Sequence, residues 1–186
     1  MIYTKLSLAE VSAGLDAVAD DALRVFGALD ERRLNWKPDD KQWSVAQCFD
    51  HLVSANDLLV GQAKAALANP PASIWQKLPL WPAMFGRLMV SSQGPRKPSS
   101  TKYTADPQAT PGSRISGDIV TRFADQQREL AAWSKTLDAH TAERTILVSP
   151  FVKFITYSVL DGLRLVVAHD RRHFEQAQRV LQASPR

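Results

Sequence analysis

Residues 157–181, YSVLDGLRLVVAHDRRHFEQAQRVL, constrain this chain more than any other stretch. Read as one helix at about 100° per residue, they set Ser158, Gly162, Leu165, Val166, His169, His173, Gln176 and Val180 on a single stripe. Asp161, Arg164, Arg171, Arg172, Glu175 and Arg179 fall on the other side and are expected to face water. His169 and His173, one turn apart, then point the same way into the apolar side, with about 5–6 Å between their Cβ atoms. Two imidazoles aimed into a core at this spacing are half of a metal site.

Three further segments carry a helical period. A capping box, Ser7 to Glu10, opens the first, where Leu8, Val11, Leu15, Val18, Ala22, Val25 and Leu29 recur at steps of three and four. That helix is predicted over about 7–30, and Asn35 to Asp40 (NWKPDD) is turn chemistry. A second capping box, Ser44 to Gln47, opens a helix over about 44–68, which Asn69-Pro70-Pro71 stops. Phe49, Leu52, Val53, Leu59 and Val60 give it a broad apolar arc. His51 lies beside that arc, on the small, polar kind of stripe that a bundle helix presents to a pocket. A third helix is predicted over about 113–137, with Ile119, Phe123, Gln126, Leu130, Trp133 and Leu137 inward. His140 falls just past its end, where a histidine meets terminal carbonyls. Pro150 closes a loop before the last helix, over about 153–182. No segment of strand period and no internal repeat is visible.

Between the second and third helices, residues 70–112 hold most of the 11 prolines. Ile74 to Val90 is apolar and aromatic, with Trp75, Trp81 and Phe85, but Pro79 and Pro82 break it into short helical pieces. A connection this long inside a compact domain is a crossover, a lid or an interface.

A length of 186 residues suits one domain with a core of its own. The net charge of +4 is modest, and its one basic concentration is Arg87, Arg96, Lys97 and Lys102. These do not interleave with aromatic residues on one predicted face, so they read as a solvated loop and no nucleic-acid partner is expected. A single cysteine, Cys48, excludes an intramolecular disulfide and a cysteine-rich zinc knuckle. It reads as a small buried apolar residue. No run approaches the roughly 18 apolar residues of a membrane span, and the first thirty residues lack the pattern of a signal peptide. No membrane partner and a cytoplasmic setting are therefore expected.

His51, on the inner side of another helix, supplies a third imidazole for His169 and His173. Three neutral imidazoles with one position left open describe a catalytic rather than a structural metal site, and Zn²⁺, Ni²⁺, Fe²⁺ or Mn²⁺ would suit it. The sequence HDRRH is not HExxH, so the glutamate that acts as general base in zinc peptidases is absent. Asp170 points about 100° away from His169 and reads as solvated or as a partner to a ligating ring. Gln176 and Gln47 stand one turn from His173 and His51, within reach of a ring N–H; for Gln47 the helix cap is an equal reading. Arg172 reads as a solvated cation or as a contact for an anionic substrate. No nucleophile with a matched base and no phosphate-cradling glycine loop is present, so no catalytic residue is assigned.

Trp36-x-Pro38, Trp43 to Leu52 (WSVAQCFDHL) and His169 to Gln176 (HDRRHFEQ) together resemble the DinB-like superfamily, which includes the DinB and YfiT types. The order of features follows that family over nearly the whole chain. The resemblance implies an all-α fold, a single DinB-like domain over 1–186. It would be an up-down-down-up four-helix bundle, with residues 70–112 as the crossover between helices two and three. In the family a divalent metal is held by one histidine of the second helix and two from an HxxxH of the last. Those positions match His51, His169 and His173. Relatives include thiol-dependent transferases and isomerases that use bacillithiol, mycothiol or glutathione. The implied function is a metal-dependent enzyme on a small-molecule substrate, of thiol S-transferase or hydrolase type, with a divalent metal and a low-molecular-weight thiol as cofactors. The alternative is a non-enzymatic stress-response protein whose metal is structural or sensory. Trp75, Trp81 and Phe85 would wall the pocket or form a homodimer interface.

Overall fold

The computed structural model describes residues 2–69, 81–92, 109–152 and 155–185, with the backbone alone at 81–85 and 92. A 3₁₀ turn at Tyr3–Lys5 leads into α1 (Leu8–Phe26), followed by α2 (Glu31–Asn35), α3 (Val45–Ala68), α4 (Trp81–Ser92), α5 (Ile119–Lys135), α6 (Ala139–Arg144) and α7 (Val159–Ala183). The long helices begin where the chain offers caps. Ser7 Oγ accepts the Glu10 N–H at 3.3 Å while the Glu10 carboxylate accepts the Ser7 N–H at 2.8 Å. Ser44 and Gln47 reciprocate in the same way at the start of α3, at 3.1 and 3.2 Å. Ser158 Oγ takes the Asp161 N–H at 3.0 Å at the start of α7. Each such cap is worth about 1 kcal/mol and fixes where its helix begins.

Contacts between helices give their directions. Asp16 and Asp20 of α1 pair with Lys135 and Arg128 of α5, so these two run antiparallel. The Leu6 carbonyl ahead of α1 accepts from Arg164 of α7, and Asp21 farther along pairs with Arg171, so α1 and α7 run parallel. His51 of α3 meets His169, while Leu59 lies against Gly162, which makes α3 and α7 antiparallel. The Val53 carbonyl accepts from Gln126, and Lys64 lies over Trp133, so α3 and α5 are parallel. The result is an up-down-down-up bundle in which α1 and α3 each pack on both α5 and α7. At Gly14 a Cβ would sit 3.0 Å from Val167 Cγ1, so the missing side chain lets α1 and α7 approach.

The core is two apolar clusters separated by a polar layer. One cluster holds Leu15, Leu59, Leu130 and Val167; the other holds Val18, Leu52, Phe123 and Phe174. Between them on successive helices lie Asn56, Gln127 and Asp170, all buried. Phe26 packs edge-on against Phe49 and Phe174, contacts worth about 0.5–1.5 kcal/mol each beyond the area they bury.

Several boundaries differ from those predicted. α1 stops at Phe26, and Asp30 caps the separate short helix α2 by accepting the Arg33 N–H at 2.8 Å. α5 starts at Ile119 because Asn35 holds the segment before it: its amide donates to the Ile115 carbonyl and its carbonyl accepts the Ile115 N–H. α7 starts at Val159 rather than near 153. Ahead of it, β1 (Ile146–Val148) pairs antiparallel with β2 (Thr156–Ser158) in the register Leu147 opposite Tyr157. Strands of three residues are too short to show a period of two, which is why sequence pattern misses them. His140 lies within α6 and is exposed, not at the carbonyl end of α5. Of the crossover, 70–80 and 93–108 lie outside the described residues, as do Trp75 and the side chains of Trp81 and Phe85. Its helix α4 rests on the N-terminal turn, β2 and α7.

Asp161, expected in water, is 6 % exposed. Its carboxylate pairs with Arg164 at 2.9 Å, and Gly86 of α4 packs so closely that a Cβ there would overlap the carboxylate. Gly86→Ala is therefore expected to lower stability by about 1–3 kcal/mol. Gly61→Ala, on the open face of α3 where nothing lies within 4 Å, is expected to raise it by about 0.5–1 kcal/mol. Thermal melts of both variants would check this, and equal shifts would disprove the close approach of α4 to α7.

Candidate metal centre

The antiparallel packing of α3 on α7 brings His51, His169 and His173 into one cluster. One ring nitrogen from each lies within 4.8 Å of the others, and the ring centroids are 4.6–5.1 Å apart. Over the whole residue His51 is buried, whereas His169 and His173 are half-buried among the described residues.

The tautomer of His51 is set by the backbone. Its Nδ1–H donates to the Ala109 carbonyl at 2.6 Å, and because a carbonyl only accepts, Nε2 keeps its lone pair. That lone pair faces His169 Nε2 at 3.3 Å. A tetrahedral cation with bonds of about 2.0–2.1 Å sets its nitrogen ligands about 3.3–3.4 Å apart, so this pair fits one. His173 Nδ1 is buried without a hydrogen-bond partner among the described residues, a polar atom that a ligand would satisfy.

Burial holds all three imidazoles in the neutral form that ligation needs. It lowers the His51 pKa, and it carries His169 well below the ordinary histidine value, helped by the neighbouring rings and the Arg172 cation. His173 falls to about 3, chiefly through burial, then through His51 and Arg172.

Around the triad, Trp43 stacks on His173 with centroids 5.7 Å apart and 24° between planes, and tilts onto His51 at 4.9 Å. The sequence gives no reason to assign this indole to the cluster, since it sits just ahead of the α3 cap. The Ala109 carbonyl, a main-chain group, carries no sequence signal at all. Asp170 is 0 % exposed and not solvated. Its Oδ1 accepts from Asn56 at 3.0 Å while Oδ2 has no partner among the described residues, and burial raises its pKa to about 8. Helical angle alone places it off the histidine stripe, but α1, α3, α4 and α6 all pack on α7 and cover more than one stripe. Gln127, not Gln126, is the fully buried amide of α5. Gln47 forms the cap and also donates to the Gly112 carbonyl at 2.8 Å. Arg172 and Gln176 are half-buried. Cys48 is fully buried, with its thiol pushed up to about 12, so it is no nucleophile at neutral pH.

The family model of the DinB superfamily matches residues 14–177, and the chain belongs to that superfamily. No curated protein and no solved structure gives a significant match. Among the described residues no helix is long and apolar enough to cross a membrane. The three-histidine cluster can hold a metal ion.

The depressed imidazoles also set a pH dependence for the chelator-treated protein. Unfolded histidines take up protons near pH 6.5, but folded His173 does so only near about 3. Between those values the unfolded state binds more protons, so stability falls as pH drops below about 6.5. Asp170 has the opposite sign: its folded carboxyl, at about 8, holds a proton that the unfolded one has lost, so its contribution fades as pH rises toward 8. Melts in chelator from pH 7 to pH 5 should show His173→Gln losing less stability than wild type. Parallel curves would mean that burial does not keep the ring neutral.

Proposed function

We propose that this protein is a divalent-metal-binding enzyme of one domain, acting on a small molecule with thiol S-transferase or hydrolase chemistry, and that His51, His169 and His173 are its metal ligands. The observation that carries the reading is the His51 ring, fixed with Nδ1–H on the Ala109 carbonyl and its Nε2 lone pair turned to the other two imidazoles. A divalent cation held there supplies Lewis-acid chemistry that lowers the pKa of a thiol or water in its open position.

The chain's own residues have the following parts. The three imidazoles bind while neutral and release no proton at physiological pH, because burial has already removed it. Trp43 covers one side of His51 and His173 and excludes water from that side. The Arg172 charge, felt by His169 and His173, favours an anionic ligand such as a thiolate at the cluster. With Cys48 inert, the nucleophile comes from the ligand rather than from the protein.

Elemental analysis of purified, untagged protein beside His51→Ala and His173→Ala is the test. About one metal per chain in wild type and little in either variant is expected. Full metal in His173→Ala would overturn the ligand set. Bound metal with a large gain in melting temperature, but no turnover of any thiol or ester substrate, would replace the enzyme by a structural or sensory metal protein.

A further inference from the structure

His51 owes its tautomer to one carbonyl, and that carbonyl lies far from α3 along the chain. Ala109 lies near the end of the crossover, and what keeps it in place is visible one turn along α3. Gln47 Nε2 donates to the Gly112 carbonyl at 2.8 Å, and Asp50 accepts the Gly112 N–H at 3.1 Å. His51 itself takes Ala109, so positions 47, 50 and 51 form one face of α3 spaced three and four apart, gripping residues 109–112 at both ends. Two residues of α2 extend the grip: Asn35 exchanges two hydrogen bonds with Ile115, and Glu31 receives Arg114 at 2.8 Å.

We propose that Gln47 and Asp50 are positioning residues for the metal centre: by holding Gly112 through both of its backbone polar groups, they keep the Ala109 carbonyl on His51 Nδ1 and so hold Nε2 unprotonated toward His169 and His173. Neither side chain is among the ring nitrogens of the cluster. Their effect reaches it through the backbone of four residues, and it makes the end of the crossover part of the site. Groups that hold a ligating histidine's second nitrogen change metal affinity by about 10–100-fold when lost. Gln47 also caps α3, but the two tasks use different atoms: Oε1 serves the cap and Nε2 the clamp. A glutamate at 47 keeps the first and abolishes the second, and it sets a carboxylate oxygen against the Gly112 carbonyl. Asp50 likewise separates charge from hydrogen bonding, since asparagine keeps an acceptor for the Gly112 N–H and removes the charge beside His51.

This inference rests on the metal reading, and its experiment uses two readouts so that the two fail separately. Zn²⁺ affinity is measured by chelator competition in wild type, Gln47→Glu, Asp50→Ala and Asp50→Asn. In the same proteins under chelator, the His51 tautomer is read from long-range ¹H–¹⁵N correlations and the fold from thermal melts. Gln47→Glu and Asp50→Ala are expected to lose about 10–100-fold in affinity and to show mixed His51 tautomers while still melting cooperatively, Gln47→Glu at a lower temperature than wild type because it buries a carboxylate against a carbonyl. Asp50→Asn should stay near wild type in both. Unchanged affinity and tautomer in Gln47→Glu and Asp50→Ala would overturn the clamp. So would Asp50→Asn falling as far as Asp50→Ala, which would make the effect one of charge. If wild type binds none of Zn²⁺, Ni²⁺, Fe²⁺ and Mn²⁺, the metal reading fails. The tautomer then decides the clamp by itself: Nδ1–H dominant in wild type and lost in Gln47→Glu upholds it, and no difference sinks it.

Discussion

The register of α3 against α7 is the constraint on which the rest of the molecule depends. Because the two helices run antiparallel, His51 near the start of α3 falls opposite the middle of α7, where the HxxxH pair lies. A shift of one turn would move His51 by about 5.4 Å along the axis and leave three imidazoles with nothing in common. The register is secured on both sides of the cluster. Leu59 lies on Gly162 at one end, and Phe49 and Phe174 meet around Phe26 at the other.

That register also stacks polar groups in the interior. Asn56, Gln127 and Asp170 share a layer between two apolar clusters, and only part of their hydrogen-bonding capacity is met within the described residues. Buried polar atoms without partners cost about 1–3 kcal/mol each, so this layer is not there for stability. Together with the three neutral imidazoles it makes the middle of the bundle the least apolar part of the core. The apolar clusters on either side offset that cost, as is usual where a site is built into a bundle rather than added at its surface.

Local sequence made some features legible and hid others for physical reasons. Capping boxes at Ser7 and Ser44 announce their helices because every participating atom lies within four residues. The short helix α2 and the paired strands are too brief to carry a period. Asp161 and Asp170 look solvent-facing on a helical wheel, yet both are buried, since α4 covers one side of α7 and α3 supplies Asn56 on another. A wheel describes one helix and cannot register how many neighbours that helix has. Trp43 and Gln47 were readable as residues of a helix start. Their roles against His173 and Gly112 depend on chain segments more than sixty residues away.

What the sequence by itself determined is therefore local and periodic: four long helices, their approximate ends, the inward stripe of α7, and three histidines placed on inner faces. Spacing of three and four residues fixes such faces with no knowledge of partners. Tertiary structure alone decided the distance between His51 and His169, the tautomer imposed by Ala109, the burial of Asp161 and Asp170, and the clamp on Gly112. Each of these is a relation between segments distant along the chain. Such relations follow from helix register and close packing, which a one-dimensional pattern does not encode.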